Sequence, residues 1–144
     1  MVKKIWFDMD GTIANLYGVE NWLDMLIAKD PTPYAKAEPM VNMSALARLL
    51  HKAQRLGYEV GIISWLSKTS NSEYDIAVTE TKIEWLRSHL PSVQWNEIKI
   101  VAYGTPKHEL CEGWLFDDEE HNRNAWGEGA YEPSEMMEML RGLR

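Results

Sequence analysis

Cysteine is all but missing from the chain, with Cys111 its one example in 144 residues. No internal disulfide is possible, so the chain suits a reducing compartment and Cys111 is read as an inert thiol. Positive charge is also in short supply. Fifteen lysines and arginines stand against 22 aspartates and glutamates, giving a formal net charge of -7. That balance excludes a protein that grips nucleic acid by general attraction to its phosphates, and no extended nucleic-acid surface is expected. An anionic substrate must be held by a few local groups or by a metal. No apolar run approaches membrane-spanning length, so no membrane partner is expected. The opening Met1-Val2-Lys3-Lys4 leads into an apolar stretch too short and too charged for a signal-peptide core, and the expected location is the cytoplasm. Repeats, low-complexity tracts and linkers are absent too. Residues 1–144 therefore read as one domain, whose 45% apolar content is enough for a single core. The four histidines, His51, His89, His108 and His121, are dispersed without metal-ligand spacing and are read as surface or capping residues.

What is present is an alternation of two periods. Ile5-Trp6-Phe7 running into Asp8 reads as a buried strand, with further strands at 58–64, 98–102 and 114–117 and a short fifth at 130–131. Between the first two, Leu46, Leu49, Leu50 and Ala53 repeat at helical spacing, and Gly57 supplies a left-handed stop. A second helix is expected from about Ile76 to Leu90, with Thr79, Ile83, Leu86 and Leu90 on its buried stripe and Pro91 beyond its end. A short helix should follow Thr105-Pro106, a capping residue and then proline at the first position. The tail from Ser134 reads as a last packing helix, its methionines filling core. Apolar strands separated by helices imply right-handed crossovers and a mainly parallel sheet covered on both faces, so the class is α/β. Residues 13–43 break the rhythm: a short helix around Trp22 to Ala28 is followed by Pro31, Pro33 and Pro39. A long irregular segment directly after the first strand is expected to form a small cap or lid over a site.

The chemistry gathers where strands end. Asp8-Met9-Asp10-Gly11-Thr12 stands at the C-terminal end of the first strand, where open parallel sheets place their ligands. Two carboxylates one residue apart can converge on one metal or phosphoryl group, and Gly11 lets the backbone turn sharply and approach an anion closely. The segment Phe7-Asp8-Met9-Asp10-Gly11-Thr12-Ile13 resembles the first motif of the haloacid dehalogenase-like superfamily, most of whose members are phosphatases. That family also needs a hydroxyl, a lysine and an acidic pair, in that order. Ser64 ends the second strand, Lys107 precedes the fourth, and Asp117-Asp118 ends the fourth. Together the motifs span residues 5 to 122.

The resemblance implies a three-layer sandwich whose sheet, counting the five main strands, runs 5-4-1-2-3, with the ligand crevice between Asp8 and Asp118. It also implies Mg²⁺ bound by the Asp8 carboxylate, the backbone carbonyl of Asp10 and Asp118, with Asp117 in support. Asp8 would attack phosphorus and Asp10 would act as acid and then base. Ser64, Lys107 and the backbone amides of Met9, Asp10 and Trp65 would hold the phosphoryl oxygens. Thr12 would orient Asp10 or the loop, and Asn122 would orient Asp118. Trp65 is read mainly as packing, with stacking on an aromatic leaving group as its functional alternative. The acidic pair, Asn122 and the modest insertion look like the 5′(3′)-deoxyribonucleotidase branch, with the polynucleotide-phosphatase branch as rival. The expected partner is a small phosphorylated substrate. A phospho-accepting receiver module is a poorer match, because its acceptor aspartate ends the third strand, where this chain has Val101-Ala102-Tyr103. A non-catalytic binding domain is the third reading, and the intact Asp8, Asp10, Lys107 and Asp118 argue against it.

Overall fold

A computed structural model describes residues 3–144. Its central sheet has five strands: β1 (Lys3–Phe7), β4 (Tyr58–Trp65), β5 (Glu97–Val101), β6 (Trp114–Phe116) and β7 (Ala130–Tyr131). Their order is β5-β4-β1-β6-β7 and every pairing is parallel. This is the α/β arrangement with the first strand central that the sequence led us to expect. Side chains on β1 alternate as a pleated strand demands. Ile5 and Phe7 join the large core with Val60, Ile62 and Phe116, while Trp6 meets Ile63 and Leu115 on the opposite face.

Helices α3 (Met43–Arg55) and α7 (Met136–Arg141) cover the large core through Leu46, Leu50, Ala53, Met136 and Leu140. The thinner face is closed by Cys111, which follows α5 (Lys107–Leu110), and by Trp126 of α6 (Glu120–Trp126). Burial raises the Cys111 thiol above its ordinary value. The Thr105 hydroxyl turns back to the Ala102 carbonyl at 2.6 Å and does not cap α5, whose N-cap position is held by Pro106 with no side-chain hydrogen bond. No helix among the described residues is long and apolar enough to cross a membrane.

Helix α4 (Ser72–His89) departs from its expected register. It begins four residues before Ile76, because the Asn71 side chain accepts a hydrogen bond from the Tyr74 amide and caps it. Its buried residues are Tyr74, Val78, Lys82, Trp85 and Leu86, whereas Ile76 is 60% exposed and Thr79 and Ile83 are half-buried. The shift arises because this helix serves two neighbours: Trp85 and Leu86 face the main core, while Tyr74 and Val78 face the insertion.

The insertion is built on a narrow neck. β2 (Ala14–Asn15) and β3 (Glu38–Pro39) pair antiparallel, and between them lie a 3₁₀ turn (Leu16–Gly18), α1 (Trp22–Ile27) and α2 (Thr32–Lys36). Proline is tolerated here by position, Pro33 in the first turn of α2 and Pro39 on a two-residue edge pair. Leu16, Leu26 and Tyr34 pack on Tyr74 and Val78. Two hydrogen bonds add to that packing, from the Tyr74 hydroxyl to the Asp30 carbonyl at 3.1 Å and from the Trp85 indole to the Ala37 carbonyl at 2.8 Å.

Candidate active site

The loop after β1 is wound tightly around one carbonyl. The amides of Thr12, Ile13 and Ala14 all donate to the Met9 carbonyl, and Gly11 takes a positive φ of 83°. That turn brings Asp8 and Asp10 to the C-terminal edge of the sheet. β4 and β5 lie on one side of β1 and β6 and β7 on the other, so the chain reverses direction across the sheet between β1 and β6. Asp8, directly after β1, and Asp117-Asp118, directly after β6, flank that switch point.

Asp8 is fixed at both oxygens. Lys107 Nζ donates to Oδ1 at 3.0 Å and Thr12 Oγ1 donates to Oδ2 at 3.1 Å. Of the two expected roles for Thr12, orienting Asp10 or the loop, its amide serves the loop through the Met9 carbonyl, while its hydroxyl holds Asp8 and not Asp10. Lys107, 3% exposed, also donates to Asp117 Oδ2 at 2.7 Å. Burial would lower the Lys107 pKa, but the two carboxylates outweigh it and hold it above the ordinary lysine value.

The acidic pair divides into a saturated member and an orphan. Asp117 accepts from Lys107, from the Glu119 amide at 2.9 Å and from Asn122 Nδ2 at 3.1 Å. Asn122 thus holds Asp117, a correction to its expected place on Asp118. In contrast, Asp118 Oδ1 is buried without a hydrogen-bond partner. Burial, followed by the nearby Asp8 carboxylate, pushes Asp118 up to about 8, and the same causes raise Asp117. Carboxylate oxygens of Asp8, Asp117 and Asp118 lie within 4.8 Å of one another. A Cβ at Gly11 would overlap the Asp118 carboxylate. Clustered, desolvated oxygen ligands with one atom unpaired fit a hard divalent cation.

Above these groups lies a cavity of about 440 Å³. Asp8, Asp10, Lys107, Asp117, Glu119 and Asn122 line its floor, and Ser67, Lys68 and Thr69 add further polar groups. Leu16, Tyr17, Trp22 and Leu26 of the insertion face Trp65, Leu66 and Tyr103 across it. Trp65 is fixed by its indole N–H to the Thr105 carbonyl at 2.8 Å and packs on Tyr103 with ring centroids 5.0 Å apart. Burial, then the charge of Asp10, raises the Tyr17 phenol well above its usual value.

One further side chain lies elsewhere than expected, and one that was not expected joins the site. Ser64 is fully buried and does not line the cavity, and its Oγ accepts from Lys82 Nζ at 2.7 Å. Lys82, absent from the sequence reading, also donates to Asp10 Oδ2 at 2.8 Å and to the Trp65 carbonyl at 2.8 Å. A signal for it exists, since Tyr74, Val78 and Lys82 recur every four residues. A lysine in that row is a charge on a buried stripe.

The fold is an α/β sandwich on a five-stranded parallel sheet, with the acidic residues that follow two neighbouring strands at its crevice. Among solved structures, the chain is similar to the crystal structure of D,D-heptose 1,7-bisphosphate phosphatase from Burkholderia thailandensis. The TM-score is 0.59 at 12% sequence identity, covering 98% of this chain and 99% of that one. By sequence, no family model and no curated protein matches.

Proposed function

We propose that the chain is a Mg²⁺-dependent phosphohydrolase that cleaves a small phosphomonoester through an aspartyl-phosphate on Asp8. The observation that carries this reading is the Asp8 carboxylate itself. It directly follows the central strand, both its oxygens are held, and it lies on the polar floor of a cavity sized for a small ligand. Asp8, Asp118 and the Asp10 backbone carbonyl would hold Mg²⁺, with Asp117 supporting them. The bound ion supplies the positive charge that lets a carboxylate approach a phosphate dianion.

Asp8 attacks phosphorus in line, and the bond to the leaving oxygen breaks as the Asp8–phosphorus bond forms. Asp10 gives its proton to that oxygen. It then takes a proton from the water that attacks phosphorus, which releases phosphate and restores Asp8. Lys107 neutralises Asp8 and the phosphoryl oxygens, and the amides of Met9, Asp10 and Trp65 complete the cradle. Ser64 keeps a supporting place beneath them, because its buried hydroxyl is engaged with Lys82.

The walls bear on the leaving group. Trp65, Tyr103, Trp22 and Leu26 offer ring faces and aliphatic carbon, which suit a planar or apolar alcohol, a nucleoside among them, better than a polyhydroxylated one. The test is turnover of a panel of aryl, nucleoside and sugar phosphates with Mg²⁺, with and without excess chelator. Wild type should require the metal, and Asp8→Asn should lose several orders of magnitude on every substrate. Intact-protein mass spectrometry after rapid acid quench should find one added phosphoryl group, mapped to Asp8. Full turnover with chelator, or a phosphoryl group mapped to Ser64, sinks the proposal.

A further inference from the structure

Lys82 is a buried cation that the mechanism above leaves without a part. It is 1% exposed, on a helix that carries none of the expected motifs. An ammonium has three donors, and all three are used: Asp10 Oδ2 at 2.8 Å, Ser64 Oγ at 2.7 Å and the Trp65 carbonyl at 2.8 Å. Its Nζ also stands 5.0 Å from the centre of the Tyr34 ring in the insertion. Stability does not explain the choice. Burying an ion pair costs several kcal/mol of desolvation per ion, and an apolar side chain of similar volume is often as good or better. The arrangement does join three separate pieces, the loop after β1, the end of β4 and α4, at one carboxylate.

That carboxylate belongs to Asp10, which lines the cavity and whose side chain must meet the leaving oxygen at one angle. Short polar side chains on loops turn freely unless something holds them. Resting on the phosphohydrolase reading, we infer that Lys82 is a positioning residue for proton transfer. It pins one oxygen of Asp10 and thereby aims the other, and it acts through Asp10 without touching substrate. Its second bond, to Ser64, fixes the ammonium from below, so that Asp10 is held against the sheet and not only against a mobile side chain.

The test pairs a structure with a kinetic cycle. In a crystal structure of Lys82→Met, the Asp10 carboxylate should rotate or lose order while Asp8, Lys107 and Asp117 keep their contacts. An unmoved Asp10 overturns the inference whether or not the protein is a phosphatase. The kinetic arm measures the single-turnover rate of phosphoenzyme formation. Lys82→Met should lose about 100-fold with an alkyl phosphate, whose leaving oxygen needs a proton, and under about tenfold with 4-nitrophenyl phosphate, whose leaving oxygen does not. Asp10→Asn should show the same split, and adding Lys82→Met to it should cost no more than about threefold further. Equal losses on both substrates, or full additivity, would assign Lys82 a merely structural role. A wild type that turns over neither substrate defeats the phosphohydrolase reading instead, and the crystal structure still decides the placement of Asp10. Should Lys82→Met fail to fold, Lys82→Gln, which keeps a donor but no charge, carries the same measurements: a smaller split in the same direction supports the inference, and its absence defeats it.

Discussion

Adjacent aspartates with opposite hydrogen-bond accounts are the most informative residues in the site. Asp117 spends its oxygens on Lys107, Asn122 and the Glu119 amide, so replacing it disturbs the protein before any ligand arrives. Asp118 spends nothing on Oδ1, which leaves that oxygen free for the cation proposed above. Asp117→Asn should therefore lower the melting temperature of the metal-free protein, by an amount equivalent to about 1–3 kcal/mol, because Lys107 loses a charged partner. Asp118→Asn should leave the metal-free protein as stable or more so, yet abolish most of the stabilisation that Mg²⁺ confers in a thermal melt. The pH dependence follows with its sign. Asp118 is raised from an ordinary carboxylate value of 3.8 to about 8, so the folded state binds this proton more tightly than the unfolded state does. Its contribution is fully present below about pH 4 and is lost as pH rises through about 8. The difference in melting temperature between wild type and Asp118→Asn should turn against the wild type across that window, and excess Mg²⁺ should flatten it. A wild-type Mg²⁺ shift retained in Asp118→Asn, but lost in Asp117→Asn, would mean that the two roles are reversed.

At the scale of elements, the insertion packs on α4 and supplies one wall of the cavity. Tyr74, Val78 and Trp85 hold it through the packing and the two hydrogen bonds described above, so deleting Asn15 to Lys36 would strip the cover from a row of buried side chains. Point changes at the cavity mouth are the cleaner probe. Leu23 and Ile27 line the cavity yet are 53% and 57% exposed, so alanine at either should change folding stability by under about 0.5 kcal/mol. If they contact the leaving group, each truncation should raise KM about fivefold for aryl and nucleoside phosphates, in line with ~1 kcal/mol of lost apolar contact. KM for a methyl phosphate should not move, and an unchanged ranking across the panel would reduce α1 to a connector. The same element accounts for what could be read beforehand. Strands with unbroken apolar runs and helices ended by glycine or proline were legible because one partner, the sheet, dictates their pattern. Helix α4 answers to the sheet and the insertion at once, so Leu86 and Leu90 are buried as the spacing predicts, whereas Val78 and Lys82 are buried in place of Thr79 and Ile83. The first and last motifs placed the carboxylates. Which carboxylate Thr12 and Asn122 would serve was hidden, since side-chain partners depend on how two loops meet.

The charge of the whole molecule acts on substrates too large for the cavity. With a net charge of -7, the molecule as a whole opposes a polyanion, and of the two lysines that line the cavity Lys107 is buried and Lys68 is exposed. A free phosphomonoester meets that field with two charges at most, whereas a 5′-phosphorylated oligonucleotide brings one more for each nucleotide. Charges outside the cavity stand in water, where salt screens them over about 10 Å at 0.1 M ionic strength. Phosphate release should therefore fall as oligonucleotide length increases from one to about eight nucleotides at low ionic strength. The loss should appear in kcat/KM, since encounter and binding are what the field opposes. Raising monovalent salt at constant free Mg²⁺ should recover much of the loss for the longer substrates and change the mononucleotide little. A protein built to work on nucleic-acid ends would behave in the opposite way. Binding through counterion release weakens steeply with salt, so an octanucleotide that is preferred at low salt and rejected at high salt would point to the polynucleotide-phosphatase reading and against a small-molecule substrate.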